Sequence, residues 1–314
     1  MTKKRTAEKI PQIWAIGGGK GGTGKTFIIS RLAIFLASYG KRVILIDANF
    51  DSPNIHYFIN FQNTEKSILD FFQDNENLEN LIQETKIKNL RVIPGNQNGI
   101  SFPGIKYKQK MRFFNDLKKM DVNYILMDLG SGSGISTLDF FLEADRKIVV
   151  TDLEILSIDN LFHFIRNTYF RRLSGLLPTQ QLKNTVWDLW NKRTQYQIKT
   201  SGDVVRHLGK ISEQMNDSSE KKLSLLQIHL IVNKVRKAND IMEGFSVRSI
   251  CTKYLSVETF YSGYLEYDNQ LWKNFSLVPS KKFTISPRIE QEIISIAENI
   301  KKSSQMKIDR IKNV

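Results

Sequence analysis

Eight residues near the N-terminus constrain this chain more than any other feature. Gly19-Lys20-Gly21-Gly22-Thr23-Gly24-Lys25-Thr26 fits the spacing G-x-x-x-x-G-K-[ST]. Glycines let the backbone turn so that successive N–H groups point inward, a concavity that suits phosphate oxygens. The apolar run over 12–19 reads as a buried strand entering this loop. Ile28, Leu32, Phe35 and Leu36 beyond it fall on one helical stripe, which Gly40 ends. A strand, a glycine loop and a helix start, in that order, put a partial positive charge at the mouth of the loop. Lys25 then supplies a point charge for terminal phosphates, and Thr26 a hydroxyl ligand for Mg²⁺. The plain alternative, a glycine-rich turn, explains neither the flanking strand nor the helix.

The rest of the chain repeats the strand–helix alternation. Apolar runs at 42–48, 90–93, 123–130, 147–152 and 228–235 read as buried strands, separated by helical patterns such as 107–120 and the stripe of Leu138, Phe141 and Leu142. The fold class this predicts is α/β: a doubly wound, mostly parallel sheet with helices on both faces. Ligands of such sheets bind at the carboxyl ends of the strands. Asp47, Asp128, Asp152 and Asn233 all fall there. Asp128 closes the strand YILM and is the first candidate to hold Mg²⁺, through water; Asp47 closes RVILI in the same way and is the second. Each also reads as a capping or solvated carboxylate at a strand end. Between 171 and 222 no buried strand is visible, and that stretch reads as a helical insertion. The expected organisation is a basic tail over 1–11, a P-loop domain over 12–302 and a basic tail over 303–314.

Composition narrows the setting. A single cysteine, Cys251, excludes a disulfide framework and any all-cysteine metal or iron–sulfur site within one chain. No apolar run approaches the ~20 residues of a membrane span, and the basic N-terminus has no apolar stretch of a signal peptide behind it. A cytoplasmic location is expected. The net charge of +14 suits an anionic partner, whether nucleic acid, an acidic membrane face or an acidic protein, and equally suits simple solubility. Asn233-Lys234-Val235-Arg236 carries Arg where a guanine reader has Asp, which argues against guanine.

The second lysine of the loop, Lys20, carries a family resemblance. Lys20 with Gly21 to Thr26 resembles the deviant Walker A motif of the MinD/ParA group of P-loop ATPases. LIDANFDSPNIHYF (45–58) is similar to that group's first switch, MDLGSGSGISTLDFFLEAD (127–145) to its Walker B strand and second switch, and 149–173 to the next strand and helix. The wording is nearest to the MinD-like branch that includes FlhG. The resemblance is strong over 12–170 and weak over 226–300. It implies an ATPase with ATP and Mg²⁺ as cofactors, held by Gly19, Lys20, Gly21, Gly22, Thr23, Gly24, Lys25 and Thr26, with Thr26, Asp47 and Asp128 at the metal and Asn233 reading adenine. Asn233 also reads as a strand-end cap. Lys20 would act in trans on a partner subunit's phosphates, so that two chains sandwich two ATP molecules in an ATP-dependent homodimer. Asp47, with Asn49 or Asp51, would handle the attacking water. The implied function is to position or count a cellular structure, flagella or the division site, through a protein partner the sequence does not identify. A ParA-like DNA-partitioning ATPase and a non-hydrolysing, ATP-gated scaffold are the rival expectations.

Four departures from the family pattern matter. Asn49 stands where many relatives carry a second switch aspartate, and an amide cannot accept the water's proton as a carboxylate does. Residues 1–11 lack the D-Q-A motif of FlhG proteins. The tail offers Met306, Ile308, Ile311 and Val314 among Lys307, Arg310 and Lys312, enough for weak contact with anionic lipid on the inner face of the cell membrane, or for a solvated end. Between 166 and 210, nine basic residues (Arg166, Arg171, Arg172, Lys183, Lys192, Arg193, Lys199, Arg206, Lys210) face only Asp188 and Asp203, among the aromatics Tyr169, Phe170, Trp187, Trp190 and Tyr196. This stretch reads as a helical elaboration packed on the core, as a docking surface for a protein partner, or as a nucleic-acid contact.

Overall fold

The computed structural model describes residues 10–62, 66–96, 104–211, 223, 226–271 and 285–312, with 211 and 304–312 described by their backbone. Eight strands form one sheet: β1 Gln12–Gly17, β2 Val43–Ala48, β3 Gln83–Glu84, β4 Leu90–Ile93, β5 Tyr124–Leu129, β6 Arg146–Thr151, β7 Gln227–Val235 and β8 Glu258–Glu266. Their order is β3-β4-β2-β5-β1-β6-β7-β8, parallel throughout except for the short antiparallel β3. The helices are α1 Lys25–Ser38, α2 Ile55–Ile59, α3 Ile68–Gln73, α4 Tyr107–Lys118, α5 Ile135–Glu143, α6 Ile155–Leu176, α7 Gln180–Asn191, α8 Ser201–Ile211, α9 Ala238–Leu255 and α10 Pro287–Lys312.

Alternation along β1 explains the two layers. Ile13 and Ala15 face a core built by α3 to α9, while Trp14 and Ile16 face one built by α1 and α10. All six residues of β2 are buried, as a strand covered on both faces requires. Ile289, Ile293, Ile296 and Ile300 form a stripe on α10 that packs on the second layer and is fully covered. The helix that carries it runs on through Lys312. The side chains expected to meet lipid, from Met306 to Val314, lie outside the described residues, as do residues 1–9. Among the described residues no helix is long and apolar enough to cross a membrane.

Two strands escaped the sequence pattern. β3 has only two residues. β8 is an edge strand whose sequence, ETFYSGYLE, is interrupted at Gly263, where φ is +142 and the register with β7 shifts. A Cβ at Gly263 would come within 2.7 Å of Ile296, so the strand bends where α10 presses on it. In the insertion, α6 passes unbroken through Arg171 to Leu176. Leu182, Val186, Leu189, Val204 and Leu208 of α7 and α8 join the main core, which makes these helices part of the domain's packing.

His229 on β7 ties the sheet to α10. Its ring nitrogens meet the hydroxyls of Ser262 at 2.9 Å and Ser303 at 3.4 Å. Burial, then the charges of Arg146 and Lys147, push its pKa down from 6.5 to about 3. The unfolded chain binds this proton at pH 5 and the folded chain does not. Stability is therefore complete above pH 6.5 and falls as the pH drops from there towards 3, by about 1.4 kcal/mol per pH unit from this group. Urea unfolding at pH 7 and pH 5 is expected to show a loss of about 2 kcal/mol in the wild type that is absent in His229→Asn. Equal losses in both would refute the assignment.

Candidate functional site

β1 lies between β5 and β6, so the loop that follows it emerges at the middle of the sheet's carboxyl edge, between the ends of those strands. The loop is pinned from two sides. A Cβ on Gly19 would lie 2.0 Å from the carbonyl oxygen of Asn160 in α6, and one on Gly24, where φ is +95, would lie 2.2 Å from the Asn233 side-chain amide. Only glycine allows these approaches. Asn233 Nδ2 donates to the Thr23 carbonyl at 2.8 Å, and its Oδ1 accepts from the Lys234 N–H at 2.9 Å. Asn233 thus braces the phosphate loop, a task its strand-end position alone does not announce.

Inside the loop, Lys25 is buried and its Nζ donates to the Lys20 carbonyl at 2.9 Å. Burial lowers its pKa, partly opposed by the nearby Asp128 charge. Thr26 Oγ1 donates to Asp128 Oδ2 at 2.6 Å, while Asp128 Oδ1 is buried with no hydrogen-bond partner among the described residues. Asp47 stands directly opposite Asp128 in the β2–β5 register. It accepts the N–H groups of Ile55 at 3.0 Å and Asn49 at 3.3 Å. Burial raises the pKa of both carboxylates, and the Asp128 charge raises Asp47 further. Two carboxylates side by side in a dry site do not both ionise without a cation. The orphaned oxygen, the hydroxyl and the carboxylate pair form a set of hard oxygen donors that fits Mg²⁺.

In front of Thr26 opens a cavity of about 410 Å³, within the range of small-molecule sites. Lys25 and Thr26, Asn49 and Ser52, and Asn233 and Tyr267 line it. Asp51 is exposed and does not line it. Asn49 closes its own turn, donating to the Ser52 carbonyl at 2.7 Å and accepting the Ser52 N–H at 3.3 Å. Lys20 turns away from the cavity to Glu154 Oε2 at 2.6 Å and Ser157 Oγ at 3.1 Å, and the hydrogen bond to Glu154 is the main reason its pKa is raised. Directly after Glu154, the first residues of α6 expose Ile155 (85 %) and Leu156 (66 %). Sequence reasoning missed Glu154, Ser157, Asn160 and Tyr267. The first three sit on a helix start with no motif of its own. Tyr267 follows the strand that Gly263 hides, and its ring lies 4.5 Å from the Arg236 guanidinium.

A family model described as an AAA domain matches residues 11–173, just over half of the chain. The chain belongs to this family. Its curated relatives include an ATP-binding protein, MinD and FleN. It is 31 % identical over 156 residues to an uncharacterized ATP-binding protein of Methanocaldococcus jannaschii, covering 49 % of this chain and 58 % of that one. Against the septum site-determining protein MinD of Helicobacter pylori it is 31 % identical over 145 residues, 46 % of this chain and 53 % of that one. Against the antiactivator FleN of Pseudomonas aeruginosa it is 25 % identical over 180 residues, 54 % of this chain and 63 % of that one. The matches thus span between about half and two-thirds of these relatives' length. Two solved structures share the fold. MinD of Pyrococcus horikoshii complexed with Mg-ADP has a TM-score of 0.57 at 16 % identity, over 95 % of this chain and 99 % of that one. A putative plasmid partition protein of Borrelia burgdorferi bound to AMPPNP has a TM-score of 0.60 at 18 % identity, over 94 % of this chain and 100 % of that one.

Proposed function

We propose that this chain is a MinD-like ATPase that uses Mg-ATP to switch between a monomer and a homodimer, and so positions or counts a cellular structure. The observation that carries the reading is the joint arrangement of the two loop lysines. Lys25 points into the loop beside Thr26 and Asp128, while Lys20 stands outside it on a rim of exposed apolar residues. A lysine kept off its own phosphate site, beside the exposed Ile155 and Leu156, suits a group that completes the site of a second copy. The Mg-ADP and AMPPNP bound in the two solved structures support ATP as the ligand. In the proposal, amides from Gly19 to Thr26 and Lys25 hold the phosphates, and Thr26, Asp128 and Asp47 hold Mg²⁺, which offsets phosphate charge. Asn233 Oδ1 retains one lone pair beyond its Lys234 contact, enough to accept an adenine amino proton. The domain spans 12–302 with the 171–222 insertion inside it. The relatives named as septum-determining proteins and as an antiactivator support a regulatory role at the division site or the flagellum, acting through a protein partner.

A second reading is a scaffold that binds ATP without turnover. Asn49 is tied to its own turn and Asp51 is exposed, which leaves Asp47, paired with Asp128 beneath the loop, as the switch carboxylate available to the site among the described residues. Light scattering after addition of limiting Mg-ATP separates the two. A dimer that forms and decays is expected for the ATPase, and one that persists for the scaffold. Lys20→Ala is expected to remain monomeric while still binding ATP. A Lys20→Ala protein that dimerises like the wild type would overturn the trans role.

A further inference from the structure

The insertion builds a charged feature that the nucleotide site does not use. Trp190, near the end of α7, lies beneath two guanidiniums: Arg166 of α6 at 5.3 Å from the ring centroid and Arg193 at 5.5 Å. Phe170 meets the same indole edge-on at 5.1 Å and fixes it against the core. Each arginine is held by one further contact, Arg166 to His163 Nδ1 and Arg193 to the Trp190 carbonyl at 3.4 Å. Neither has a direct ion pair among the described residues; burial and then the Arg193 charge disfavour the Arg166 cation, opposed in part by the Asp159 charge. Two other arginines of the stretch are matched: Arg171 pairs with Asp139, and Arg206 with Asp203. Two adjacent, oriented guanidiniums without a direct ion pair repel one another, a cost that an added anion relieves.

We propose that the Arg166–Trp190–Arg193 stack is a docking site for an acidic segment of a protein partner. Guanidinium forks match carboxylates in bidentate geometry. Trp187, 45 % exposed and one turn earlier on α7, offers an apolar contact for a neighbouring side chain of that segment. Nucleic acid is the poorer fit, because both arginines already sit over the Trp190 ring and compete with a base for stacking there. The inference is independent of the nucleotide reading and does not require ATP.

The test uses the full chain and a fluorescein-labelled dodecapeptide of Glu, Asp and Leu at about 0.15 M salt, where exposed charges are screened beyond ~8 Å. A single-stranded oligonucleotide of equal charge is measured in parallel. Arg166→Gln with Arg193→Gln is expected to weaken peptide binding by about tenfold or more, since two charge-assisted contacts are lost. Lys86→Gln with Lys88→Gln, which removes the same charge from exposed residues elsewhere, is expected to change it less than about twofold. Arg193→Gln alone, at an exposed position that folding tolerates, is expected to weaken binding by about threefold. Equal losses in the two double variants would show attraction to net charge and overturn the proposal. So would tighter, arginine-dependent binding of the oligonucleotide.

Discussion

Lys25→Ala is expected to weaken ATP binding by about a hundredfold while leaving the fold intact, because the charge-assisted phosphate contacts assigned to Lys25 in the proposed function are worth roughly 3 kcal/mol. The nucleotide-free protein gains little from this lysine. Its ammonium is desolvated, its pKa is lowered by burial, and its one hydrogen bond goes to a carbonyl of its own loop. Removing it takes a costly charge out of a buried site, so the melting temperature without nucleotide is expected to stay level or rise slightly. The wild type should gain stability on adding Mg-ATP, and the variant should lose that gain. Thermal melts with and without Mg-ATP, beside a direct titration, read both quantities. Unchanged affinity would mean that the loop does not hold phosphate, and the proposed function would fall with it.

Asp139→Ala is expected to have the opposite profile, with a large loss of stability and no direct effect on nucleotide contacts. Asp139 of α5 is the shared acceptor for Lys110 of α4 at 3.1 Å and Arg171 of α6 at 2.7 Å. Burial alone would raise its pKa, but the hydrogen bonds from Arg171 and Lys110 outweigh that and hold it below the ordinary carboxylate range. The Lys110 side chain is only 10 % exposed. Deleting the carboxylate leaves that ammonium buried and uncompensated, which costs about 3 kcal/mol or more. Because Arg171 is 40 % exposed and can turn to water, the low end of that range applies. A fall of about 5–10 °C in the melting temperature is expected. Asp139→Asn, which keeps an acceptor oxygen, should recover part of it. A melting temperature within a degree or so of wild type would mean that solvent reaches Lys110 and that the three helices are held by apolar packing alone.

The sequence by itself determined the frame of this protein. Buried parallel strands must be apolar along their length, so β1, β2, β5, β6 and β7 were legible within a residue or two. The phosphate loop was legible because glycines, Lys25 and Thr26 must follow one another at fixed spacing to surround a phosphate. What the tertiary structure decided is everything that depends on residues distant in sequence meeting at one place. The pairing of Asp47 with Asp128 follows from β2 lying beside β5, which no local pattern states. Asn233 braces Thr23 across 210 positions of chain, and Glu154 holds Lys20 across 134. β8 stayed hidden because an edge strand bent at Gly263 keeps no clean alternation. The Arg166–Trp190–Arg193 stack appears only once α7 folds back on α6. Local spacing encodes backbone shape and burial, whereas the partner of a charge is set by which elements the core brings together.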